Sequence, residues 1–156
     1  MEFSFAPVTE ADFDELVALR IATMRASLER IGRFDPQRAA ERFRSTFRPA
    51  DTRRIVVDGV NAGCVGFRAE PVDAIRVEHF YIDAPFQARG LGGAVLRRLF
   101  DDAPASVEVF RVGALRDSDA NRFYRRHGFV QVSEDEWDIA YERPRHLAAG
   151  RGDSRR

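Results

Sequence analysis

Residues 75–102 constrain the fold more than any other stretch of this chain. Ile75 to Ile82 is rich in β-branched and aromatic residues, the composition of a strand. Leu91, Val95, Leu96 and Leu99 recur at helical spacing through Asp102. Between the two lie Pro85 and then Gln87-Ala-Arg89-Gly90-Leu91-Gly92-Gly93. A strand that feeds a helix through glycines prepares an anion site. The first helical turn leaves N–H groups without partners, and the macrodipole adds roughly half a positive charge there. Glycine lets a phosphate approach the main chain, and Arg89 supplies a fixed cation.

Two familiar phosphate loops are excluded. A P-loop needs Gly-Lys-Ser/Thr, and all 25 cations of this chain are arginine. The dinucleotide fingerprint G-x-G-x-x-G fails because Val95 occupies the third glycine position. The absence of lysine also closes Schiff-base and lysine general-base chemistry.

At 156 residues the chain predicts one domain over 1–143, with 144–156 an aperiodic, disordered tail. The 25 acidic residues balance the 25 basic ones, so no global field favours nucleic acid or membrane. No apolar run approaches the roughly 18 residues of a membrane span, and no signal peptide opens the chain, which predicts a cytoplasmic protein. A single cysteine, Cys64, excludes disulfide scaffolds and cysteine-based zinc sites; its strand-like setting predicts a buried, inert thiol.

The remaining elements follow in order. Residues 2–7 read as a strand. Thr9 and Asp12 suggest a capping box ahead of a helix whose stripe is Phe13, Val17, Ile21, Met24, Leu28 and Ile31, read as core. Gly32 ends it, and Asp35-Pro36 opens a second helix to about Phe47. Residues 52–57 and 62–70 form a hairpin across Asp58-Gly59, and Pro71 to Asp73 turns the chain into the 75–82 strand. Ser106 to Val112 is a further strand. Asp117-Ser118 caps a helix to His127, Gly128 closes it, and residues 129–132 and 137–141 make a last hairpin.

Gln87-Ala-Arg89-Gly90-Leu91-Gly92 resembles the Gln/Arg-x-x-Gly-x-Gly/Ala signature of the GNAT superfamily of N-acetyltransferases. About 30 residues later, Ala120-Asn-Arg-Phe123-Tyr124-Arg-Arg-His-Gly128-Phe129 resembles its later motif, Asn-x-x-Ala-x-x-Phe-Tyr-x-x-x-Gly-Phe. The resemblance covers about residues 2–142. It implies an α/β (α+β) fold with a mixed, mostly antiparallel sheet of six to seven strands. Four helices flank that sheet, and a parallel pair of strands splays at its centre.

The resemblance also implies a function: transfer of an acetyl group from acetyl-CoA to a primary amine of a small molecule, by direct attack in a ternary complex, without a metal. Protein or peptide N-acetylation and a non-catalytic acyl-CoA-binding domain are the alternatives, and a monomer or homodimer is implied. Coenzyme binding falls on Gln87, Ala88, Arg89, Gly90, Leu91, Gly92 and Gly93, with main-chain amides around Phe80, Tyr81 and Ile82 facing the thioester oxygen. The family asparagine at the later helix, a coenzyme contact, falls on Asp117 or Ser118, with Asn121 the other residue that could take its place.

An alkylamine of pKa near ~10.4 is less than about 1% nucleophilic at pH 7, so the reaction needs a proton acceptor. Glu78, or a water relay ending on it, is the expected base. His79 is a weaker candidate, expected on the opposite face of the strand. Tyr124 matches the tyrosine that protonates the departing thiolate; its other reading is a core aromatic. Met24, Arg25, Phe34 and Glu78 are expected at the acceptor, with Arg25 able to recognise a carboxylate. The Glu134-Asp135-Glu136 run beside Trp137 could attract an amine, or simply be a solvated turn.

Overall fold

The computed structural model describes residues 2–147. Seven strands form a sheet in the order β1-β2-β3-β4-β5-β7-β6. They are β1 (Ser4–Pro7), β2 (Thr52–Val57), β3 (Val60–Glu70), β4 (Ala74–Ile82), β5 (Val109–Leu115), β6 (Val130–Glu134) and β7 (Asp138–Pro144). Four helices complete the fold: α1 (Phe13–Arg30), α2 (Pro36–Thr46), α3 (Leu91–Asp102) and α4 (Asp119–Arg126). The β1–β2, β2–β3, β5–β7 and β6–β7 pairs are antiparallel. β4 and β5 run parallel, with Ala74, Ile75 and Arg76 opposite Val109, Phe110 and Arg111. The mixed, mostly antiparallel sheet with four helices is the architecture that the sequence motifs imply.

The chain packs as two compact units. The first runs to Arg68 and resumes over Val77–Asp102. Its core joins Leu16 of α1 and Phe43 of α2 to Phe47, Val8 and Cys64 of β3, with Phe13, Val17, Leu19 and Tyr81 against them. Phe43 and Phe47 stack at 5.0 Å, and Phe13 tilts onto both. Asp35 starts α2 as expected, its carboxylate accepting from the amides of Gln37 (2.9 Å) and Arg38 (3.2 Å) ahead of Pro36. α3 buries Leu91, Val95, Leu96, Leu99 and Phe100 along one face.

The α1 stripe corrects the sequence expectation. Leu16 is fully buried, while Ile21, Met24 and Leu28 are only half-buried. The helix is rolled so that Leu16, Leu19 and Arg20 face the sheet. Periodicity alone cannot separate a broad apolar face from its buried edge.

The second unit comprises Ala69–Arg76 and the chain from Ala103. Phe110, Val112, Tyr124, Phe129, Ile139 and Tyr141 form its core. Glu70 accepts from Arg76 Nε (2.9 Å), and Arg111 joins Glu70 to Glu142. β5 begins three residues later than expected and reaches Leu115, because its ladder with β7 extends to Leu115 opposite Asp138. Tertiary pairing here overrides the weak strand preference of Gly113-Ala114. β7 likewise continues to Pro144. Arg145 then donates to the carbonyls of Ala103 (2.7 Å) and Val107 (3.4 Å), so the segment expected as tail is anchored at its start. Residues 148–156 of that tail lie outside the described residues.

Candidate active site

Local contacts shape the loop before α3. Asp83 accepts from the amide of Ala84 (3.0 Å) and starts a short turn at Ala84–Phe86. Gln87 folds its side chain back and donates to the carbonyl of Ile82 at 2.8 Å, tying the loop to the end of β4. Ala88 and Gly90 both take positive φ (60° and 80°). Gly90 does so freely because it has no Cβ; Ala88 does so at some cost. In the first turn of α3 the amides of Leu91, Gly92 and Gly93 precede the helix's own ladder, which opens with Ala94 donating to the Gly90 carbonyl (3.1 Å). These amides sit at the positive end of a 12-residue helix, with Arg89 exposed beside them.

The second group of side chains lies on β3 and β4. His79 has a φ of 49° in the interior of β4, a left-handed residue in the middle of a strand. One such residue breaks the two-residue alternation as a bulge does. Glu78 meets Arg68 of β3 at 3.0 Å, and its Cγ lies 3.6 Å from where a Cβ would stand on Gly66. His79 meets Thr46 of α2 (Nε2 to Oγ1, 2.6 Å) and lies edge-on to Phe43 at 4.6 Å. Both side chains therefore face α1 and α2. The expectation that they point to opposite faces is corrected, and the bulge is the reason.

Tyr81 shares that face, where its hydroxyl accepts a hydrogen bond from Arg20 Nη1. Burial pushes the Tyr81 phenol up to about 12. Burial, then the charges of Arg20 and Arg68, lower His79 to about 4, so its imidazole is neutral at pH 7. The main chain is also tightly drawn. A Cβ on Gly63 would stand 2.2 Å from the Tyr81 carbonyl, and one on Gly66 would stand 3.1 Å from that of Glu78. Cys64, between these glycines, is fully buried and its thiol is pushed up to about 12 by burial, as the inert reading expects.

Of the residues expected at the acceptor, Arg25 and Phe34 come together, the guanidinium 4.6 Å from the ring centroid. Arg25 also pairs with Glu29 at 2.7 Å on an exposed surface. Met24 is half-buried.

In the second unit, Tyr124 is 7% exposed and packs edge-on to Phe129 at 5.4 Å. Asn121 is buried and occupied: its Nδ2 donates to the carbonyls of Leu115 (2.8 Å) and Ser118 (3.0 Å), and its Oδ1 accepts from the Tyr141 hydroxyl (2.7 Å). It clasps the start of α4 to β5 and β7. Ser118 stands at the N-cap, and Asp117 before it takes a φ of 65°. The acidic run of the last hairpin closes on Arg116, which reaches the Glu134 carboxylate (3.2 Å) and the Asp135 and Glu136 carbonyls. One cation thus meets one of the run's three carboxylates, and its other contacts are to main-chain carbonyls.

Sequence reasoning missed Arg20, Thr46 and Arg68. Arg20 carried a usable signal, since it lies four residues after Leu16 on one helical face. Among the described residues, no group of three or more His, Cys, Asp and Glu is placed to hold a metal ion. No helix among them is long and apolar enough to cross a membrane.

A family model described as "Acetyltransferase (GNAT) domain" matches residues 51–131, more than half of the chain. The chain belongs to the GNAT acetyltransferase family. No curated protein matches it in sequence. Solved structures share the fold at low identity. An acetyltransferase from Thermus thermophilus has TM-score 0.72 and 18% identity, covering 92% of this chain and 97% of that one. The PaiA N-acetyltransferase of Thermoplasma acidophilum, in complex with coenzyme A, has TM-score 0.68 and 12% identity, covering 92% and 99%. The ribosomal-protein-S18-alanine N-acetyltransferase of Escherichia coli has TM-score 0.67 and 14% identity, covering 96% and 98%.

Proposed function

We propose that this protein is an N-acetyltransferase that moves an acetyl group from acetyl-CoA to a primary amine of a small molecule. One observation carries the reading: the loop turned by positive φ at Ala88 and Gly90 that delivers the first-turn amides of Leu91, Gly92 and Gly93 at the start of α3, inside the segment that matches the family. Here the coenzyme's pyrophosphate accepts from those amides, and Arg89 adds a charge-assisted contact.

Glu78 takes a proton from the bound ammonium, directly or through water, and the free amine attacks the thioester carbonyl. Amides of β4 around Phe80–Ile82 stabilise the resulting oxyanion. As the intermediate collapses the C–S bond breaks, Tyr124, assigned by its motif position, gives its proton to the thiolate, and the proton shed by the new amide nitrogen restores the phenol through solvent. Neutral His79 does not compete for the amine's proton at pH 7, since its conjugate acid is too strong. Product formation is tested by following coenzyme A thiol release with acetyl-CoA across polyamines, aminoglycosides, amino acids and peptides. No release with any amine, together with no binding of coenzyme A by calorimetry, refutes the reading.

A further inference from the structure

Arg20 is a cation without an anion. It lies on the face of α1 turned toward β4, and among the described residues the one hydrogen-bond partner of its guanidinium is the Tyr81 hydroxyl. Its Nε is buried and finds no acceptor there. Tyr81 is neutral at physiological pH, so this bond leaves the guanidinium charge uncompensated. Arginine elsewhere on this face is answered: Arg54 reaches Asp12 (3.0 Å) and Glu15 (2.8 Å), and Arg68 reaches Glu78. An ionised group held partly out of water without a counter-charge is costly, and proteins keep such an arrangement where a ligand supplies the charge.

The neighbours define what that ligand carries. The Tyr81 phenol feels both the Arg20 charge and the Glu78 carboxylate, and His79 feels Arg20 and Arg68, so the unanswered cation and the carboxylate belong to one cluster. Counted together, Arg20 and Arg68 against Glu78, with neutral His79 and Tyr81, leave this cluster one positive charge in excess. A purely cationic acceptor would meet that excess unfavourably. An amine with a carboxylate satisfies both ends, its ammonium toward Glu78 and its carboxylate on the planar guanidinium of Arg20.

We propose that Arg20 is the carboxylate anchor of the acceptor, and that the acceptor is an amino acid or a comparable amino carboxylate. The proposal rests on the acetyltransferase reading above and specifies its substrate class. Thiol release is measured on matched pairs of an amino acid and its decarboxylated amine: lysine with cadaverine, ornithine with putrescine, tyrosine with tyramine. The carboxylated member of at least one pair is favoured in kcat/KM by about tenfold or more, the worth of a hydrogen bond to a charged group. Arg20→Gln raises KM for that amino acid by a similar factor and removes the preference, while Arg20→Lys retains part of it.

Equal kcat/KM within every pair in the wild type overturns the proposal even if the variants fail to fold. A KM for the amino acid that is unchanged in Arg20→Gln, or a variant that loses coenzyme affinity instead, also overturns it. Thiol release with decarboxylated amines alone sinks the anchor and leaves the acetyltransferase reading standing. Failure of coenzyme A to bind removes both.

Discussion

The Arg68 guanidinium meets the Glu78 carboxylate at 3.0 Å, on the same face of β4 that carries His79. The pair fixes the carboxylate, so its orientation does not depend on the substrate. Glu78→Gln is expected to lower kcat most at pH values well below the amine's pKa, where deprotonation limits the rate. The check is a pH–rate profile of variant and wild type. Parallel profiles would remove Glu78 as the base and leave it a partner of Arg68.

The amides before α3 predict a binding phenotype. Saturating acetyl-CoA is expected to raise the melting temperature of the wild type, because a ligand that binds only the folded state stabilises it. Gly92→Asp sets a carboxylate against the site for the pyrophosphate and is expected to abolish the shift. Differential scanning fluorimetry with and without acetyl-CoA decides this, and an undiminished shift would place the coenzyme elsewhere.

Tyr124 packs against Phe129, so Tyr124→Phe keeps the ring and removes only the hydroxyl. Turnover is expected to fall by about 10²-fold or more, within the range of general acid catalysis, while coenzyme affinity stays within about twofold. Steady-state kinetics with calorimetry separates the two. An unchanged kcat would make Tyr124 a core residue alone.

His79 predicts a pH dependence of stability. Its folded-state value, about 4, lies below the ordinary 6.5, so the unfolded chain binds the proton more tightly. The contribution is fully present above about pH 6.5 and is lost as pH falls toward 4, by up to about 3 kcal/mol. Denaturant unfolding between about pH 4.5 and 7.5 should show this slope. His79→Asn should flatten it relative to wild type, and identical slopes would show that other groups dominate.

The strand–glycine–helix passage at 75–102 and the Phe123-Tyr124 motif made the architecture legible before any coordinates, because both are local patterns with local causes. Asp35-Pro36 and Asp58-Gly59 announced a cap and a turn for the same reason. The interior of the site was not legible in that way. A left-handed φ at His79 has no signature in Glu-His-Phe, and it alone turns two successive side chains the same way. Arg20 looked like an ordinary polar helix residue because its burial depends on how α1 rolls against the sheet. Asn121, one of three residues weighed for the coenzyme, holds the start of α4 in place, a use visible only once Leu115, Ser118 and Tyr141 converge on it.

Gly63 leaves the next strand no clearance: one added carbon there would stand 2.2 Å from the Tyr81 carbonyl, whereas at Gly66 it would sit tightly, 3.1 Å from that of Glu78. The strand beneath the candidate site is thus closed to a larger residue at Gly63. Divergence toward a new acceptor would have to be written on α1 and α2, at positions such as Arg20 and Thr46, where side chains can change without shifting the platform below.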